Sequence, residues 1–169
     1  MRPILYLPAW PELAYQPVMS AHIYIDADAC PVREETYKVA RRHGVAVTVV
    51  ANSYIRVPKD PGFTFRLVDD SFDAADDFIA EAADENVIVI TSDILLAERV
   101  LKSGGRVLGA NGKAMTMDTI GSQIAVRAIM ADLRAGAEQP TVGGPPPFTQ
   151  RDRSRFLEAL HLALVHSKP

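Results

Sequence analysis

Two runs in this chain, VAVTVV at 45–50 and VIVIT at 87–91, are apolar at almost every position. A strand with one wet face alternates apolar and polar residues, because successive side chains point to opposite faces. A strand apolar at both parities has both faces covered, which is the condition inside a parallel sheet. Segments of helical period separate these runs, as crossover connections require. The fold class that follows is α/β: a three-layer sandwich with a mostly parallel central sheet.

The remaining elements read in order. A strand is expected at 22–25. Pro31 suits the first turn of a helix that runs to about His43, where Gly44 stops it. Residues 54–63 contain Pro58, Pro61 and Gly62 and read as loop, followed by a short strand at 65–68. A helix at 73–83 has Ala74, Ala75, Phe78, Ile79 and Ala82 on one side. A helix at 94–102 ends before Gly104-Gly105, and a strand follows at 106–108. Helices are expected at 118–135 and 151–166, joined by a linker over 136–149 that holds the sequence GGPPP.

Residues 1–18 carry four prolines before Met19 and no regular apolar period. Pro8 and Pro11 interrupt what would otherwise resemble the apolar part of a signal peptide. The expectation is an N-terminal extension at 1–18 and one domain over 19–169. No run approaches the roughly 20 apolar residues that cross a bilayer. A single cysteine, Cys30, excludes an intrachain disulfide and a multi-cysteine zinc site. A cytoplasmic protein with no membrane partner is the expectation.

The net charge of −3 is unevenly distributed. Residues 69–85 hold eight acids and no base, whereas the chain from Arg99 onward holds ten bases against five acids. Such a split suits a cation in one place and a polyanion beside it, although solvated helix faces have the same composition.

The acids also have positions. Asp26 and Asp28 follow the first strand, Asp69 and Asp70 a later one, and Asp93 the run VIVIT. In an open parallel sheet these ends share one edge, where ligands bind. Asp73, Asp76 and Asp77 stand at i, i+3 and i+4, on one face of a helix starting near that edge. Carboxylates gathered there are tolerated when a hard divalent cation, Mg²⁺ or Mn²⁺, neutralises them. The candidate metal ligands are Asp26, Asp28, Asp73, Asp76, Asp77 and Asp93, with Asp26, Asp28 and Asp93 as catalytic candidates. Capping competes at single positions: Asp93, Asp73 and Asp28 could each cap a helix. Capping does not require acids at three neighbouring strand ends.

A DxD pair after the first strand also fits haloacid-dehalogenase-type phosphatases, with Asp26 as nucleophile and Asp28 as acid/base. Those enzymes place an extended loop after the pair, where this chain has Pro31 opening a helix. Cys30 lacks a suitable histidine, and nearby carboxylates oppose a thiolate. The four histidines have no metal-like spacing, and GANGK at 109–113 is not a phosphate loop.

DADACPVREETYKVA, VTVVAN, DAADDFIAEAA, VIVITSDILLAERVL, GANGKAMTMDTI, RAIMADLRAGA and GPPPFTQRDRSRFLEAL together resemble the YaiI/YqxD family of uncharacterised bacterial proteins. The resemblance covers about 23–160. That family is grouped with PIN-like domains, whose better-known members are metal-dependent ribonucleases. The resemblance implies that Asp26 is the first-strand aspartate, that Asp93 belongs to the T-x-D motif, and that Asp76 or Asp77 is the helix acid. Ser71-Phe72 stands where a glycine-containing turn is common. The function expected is a metal-dependent nuclease acting on RNA. Arg33, Arg41, Arg151, Arg153 and Arg155 would hold the phosphate backbone, since guanidinium forks suit phosphate. The alternatives are a non-catalytic RNA-binding or regulatory module and the phosphatase.

Overall fold

The apolar runs pair side by side in a six-stranded sheet. The structure, a computed structural model, describes residues 21–28, 30–136 and 146–167. Its elements are β1 (His22–Asp26), α1 (Arg33–His43), β2 (Ala46–Ala51), β3 (Phe63–Leu67), α2 (Ala74–Ala82), β4 (Val87–Ile90), α3 (Ile94–Lys102), β5 (Arg106–Leu108), β6 (Ala114–Met115), α4 (Met117–Ala135) and α5 (Gln150–Val165). The expected extension at 1–18, its boundary at Met19 and the GGPPP linker lie wholly or largely outside the described residues.

Strand order is β3-β2-β1-β4-β5-β6. The first five strands are parallel, and β6 pairs antiparallel with β5. Ile23, Ile25, Val47 and Val49 face one hydrophobic cluster, which α5 completes with Phe156, Leu160 and Leu164. Val50, Val87, Val89 and Val107 face a second cluster built with α2, α3 and Ile120 of α4. Helices thus cover both faces, and the three layers follow from strands apolar at both parities.

Two details depart from the expected elements. The strand expected at 65–68 is β3 at Phe63–Leu67, so it begins directly after Gly62. Gly62 has φ +83°, which a side chain rarely tolerates. The two-residue β6 was not expected at all, because a strand that short shows no period. Helix α4 forms where its sequence indicates, yet residues 121–136 are exposed throughout. No helix among the described residues is long and apolar enough to cross a membrane.

Candidate functional site at the carboxyl edge of the sheet

The chain builds β1, β2 and β3 outward in one direction, then returns to place β4 on the other side of β1. The crevice where the order reverses lies beyond the carboxyl ends of β1 and β4. Asp26 is the last residue of β1, and Thr91, Ser92 and Asp93 directly follow β4. A small pocket there is lined by Asp26, Cys30, Thr91, Ser92 and Ala110. The crossover through β3 brings the first turn of α2 to the same edge, and with it Asp73 and Asp76.

Hydrogen bonds fix part of this set. Thr91 Oγ donates to Asp26 Oδ2 at 2.8 Å and accepts from Asp93 N–H at 3.0 Å. Asp93 is also the N-cap of α3, its Oδ1 accepting from Leu95 N–H at 2.8 Å and Leu96 N–H at 3.2 Å. Burial raises the Asp26 carboxyl above the usual range; the Thr91 hydrogen bond opposes this, and Asp28 and Asp93 add to it. Asp76 is pushed up to about 6, first by burial, then by Asp93, Asp26 and Asp73, with Arg99 opposing. Acids from β1, α2 and the β4–α3 turn therefore feel one another's charge.

The other predicted residues fall differently. Asp28 is exposed in the turn after β1. Asp73 is the N-cap residue of α2 and makes no side-chain capping bond. Asp77 forms a 2.8 Å ion pair with Arg99 of α3, so it faces a cation. Arg33 opens α1 beside the crevice. Arg41 stands in the last turn of α1, at the opposite edge of the sheet, bound to Asp60 through two hydrogen bonds of 2.8 and 2.7 Å. Arg153 binds Glu35 at 2.8 Å and the Pro31 carbonyl at 2.7 Å, and its guanidinium lies over Phe148. It acts as a strut between α5 and α1. Arg151 and Arg155 are exposed on α5. The structure thus brings Asp26, Asp73, Asp76 and Asp93 to one edge, and it places Arg41 away from them.

Burial raises the Cys30 thiol, as expected for a packing residue rather than a nucleophile. Two contributors were not among the predicted site residues. Thr91 is buried, and its signal was a lone hydroxyl ending an otherwise apolar strand. Glu35 is largely buried, and its Oε2 finds no hydrogen-bond partner among the described residues. Nothing in EETY distinguishes it from the exposed Glu34.

Residues 24–166 match the model of the uncharacterized YaiI/YqxD family. The chain belongs to this family. It is 60% identical over 146 residues to a UPF0178 protein of Sphingopyxis alaskensis, covering 86% of this chain and 94% of that relative. It is 54% identical over 146 residues to a UPF0178 protein of a Jannaschia species, with the same coverage. A UPF0178 protein of a Caulobacter species is 51% identical over 146 residues, with 86% of this chain and 95% of the relative covered. No solved structure matches. Family membership therefore brings no activity with it, and function rests on the site.

Proposed function

We propose that this protein is a metal-dependent phosphodiesterase acting on RNA. The observation that supports this is the meeting of Asp26, Asp76 and Asp93 at the switch point of the sheet, where burial and mutual charge raise the Asp26 and Asp76 carboxyls. The donor set is all oxygen, which suits magnesium or manganese. Among the described residues no three acids, histidines or cysteines stand close enough to hold an ion, so the carboxylates must turn inward to share one. A bound ion would neutralise them, bind a phosphate oxygen and make a bound water more acidic. Asp26 is the fixed member, because Thr91 holds one of its oxygens. The charges of Asp26 and Asp93 act on Asp76, and those of Asp93 and the exposed Asp28 act on Asp26. In the reaction, water oxygen bonds to phosphorus, the ester oxygen leaves, and one proton passes from the water to solvent or to that oxygen.

The test is cleavage of an end-labelled single-stranded RNA with magnesium or manganese, comparing wild type, Asp26→Asn and Asp93→Asn. Cleavage by wild type alone supports the proposal. The separation of the carboxylates favours a second reading, an RNA-binding module without catalysis. Wild type that binds RNA and cleaves nothing would select it. Phosphate release from a monoester without diester cleavage would instead select a phosphatase with Asp26 as nucleophile.

A further inference from the structure

We infer that the groove between α5 and the turn joining β5 to β6 holds the sugar–phosphate backbone of single-stranded RNA. This deepens the proposed function and rests on it for what happens at the crevice. The groove, of about 500 Å³, is floored by Ala159 and Leu162 and edged by Lys113 and Arg155. It is built by close backbone approach. Gly112, at φ +80°, lies so near α5 that an added Cβ would come within 2.7 Å of the Arg155 carbonyl group. That contact sets Lys113 and Arg155 on facing walls. Neither forms an ion pair among the described residues. Arg151 lies one turn above Arg155 on the same side of α5, toward the carboxyl edge. The groove's Asn111 directly follows Ala110, which lines the acidic crevice. Glu158 is the opposing charge within the groove. Cations on the walls suit phosphates, while exposed Leu162 offers an apolar surface to ribose or base. A chain lying here would deliver its next phosphate to Asp26 and Asp93.

The test is binding of a fluorescent single-stranded RNA to the full chain in EDTA, followed by anisotropy across a salt series. Removing two phosphate contacts in Lys113→Ala/Arg155→Ala should flatten the slope of log K against log salt by about 1.4 and weaken binding about 25-fold at 0.1 M salt. Arg42→Glu, an exposed position at the far end of α1, should change neither. An unchanged slope in the double variant overturns the inference. So does an equal loss in Arg42→Glu, which would mean diffuse charge, or no binding by wild type at low salt. Cleavage is measured separately with wild type: RNA bound in the groove but left intact under both metals rejects the hydrolase and leaves the groove standing.

Discussion

Thr91 Oγ donates a 2.8 Å hydrogen bond to Asp26 Oδ2, tying the residue after β4 to the last residue of β1. The same oxygen accepts the Asp93 amide, so one buried hydroxyl orients two of the three central acids. Thr91→Val keeps the shape and removes both bonds. It should lower stability by about 1–3 kcal/mol, because the Asp93 amide and a half-buried carboxylate lose a partner. Thr91→Ser should recover most of that. Loss of the donor to Asp26 raises its carboxyl further, so divalent binding should weaken more as pH falls and protons compete. Urea titration and calorimetry with magnesium at pH 6 and 8 would measure both effects; equal affinities in Thr91→Val and wild type at pH 6 would reject the orienting role.

Asp93 has two functions that substitution can separate. As cap, it accepts from Leu95 and Leu96 N–H. Asparagine caps about as well as aspartate and removes a charge that repels Asp76, so Asp93→Asn should melt no lower than wild type, whereas Asp93→Ala should lie about 1 kcal/mol below Asp93→Asn. As metal ligand, aspartate cannot be replaced by either, since a hard cation needs its charge. Divalent stabilisation in thermal melts should therefore disappear in both variants. If Asp93→Asn retained it in full, Asp93 would be a cap alone.

Arg153 should matter for stability rather than for nucleic acid. It joins α5 to α1 through Glu35 and the Pro31 carbonyl, and Phe148 covers its guanidinium. Arg153→Ala leaves Glu35 largely buried with neither oxygen bonded, at a loss of about 2 kcal/mol. Adding Glu35→Gln should restore part of this, and the double-mutant cycle gives the coupling. The salt slope of RNA binding should stay at the wild-type value. A flattened slope in Arg153→Ala would instead make it a phosphate contact.

The layers of the fold were legible because VTVV and VIVI are apolar at both parities, which only a sheet covered on both faces explains. The edge location of Asp26, Asp76 and Asp93 followed from that topology alone. What the sequence could not supply was pairing. Asp77 looks like Asp76 in DAADD, yet it meets Arg99 from another helix, 22 positions along the chain. Arg41 and Arg153 look like free cations among neighbours of the same kind, and each proves to be tied to an acid. Such contacts depend on helix rotation, which a periodic pattern fixes only to within a face. The short β6 and the tight Gly112 turn were hidden for a related reason: both are set by contact with β5 and α5 rather than by local preference.

The raised Asp76 carboxyl gives a pH dependence whose sign opposes the usual one. Its value of about 6 in the folded protein exceeds the ordinary 3.8, so between these limits the folded state holds the extra proton. Stability then falls as pH rises through that window, because ionising Asp76 among Asp93, Asp26 and Asp73 is unfavourable in the native state. Asp76→Asn removes the ionisation and keeps the volume. Solvent screens a group this exposed, so the variant should gain only about 1 kcal/mol at pH 7.5, or about 2–4 °C in Tm. At pH 4 the gain should vanish, since the native carboxyl is already protonated there. Divalent metal reverses the comparison: at pH 7.5 it should raise the Tm of wild type and leave Asp76→Asn almost unmoved, because the charge that repels its neighbours also attracts the ion. Melts of both proteins at pH 4 and 7.5, with and without magnesium, contain the whole test. A variant no more stable than wild type at pH 7.5 would show that Asp76 ionises without strain, and the acids would then be too far apart to act as one site.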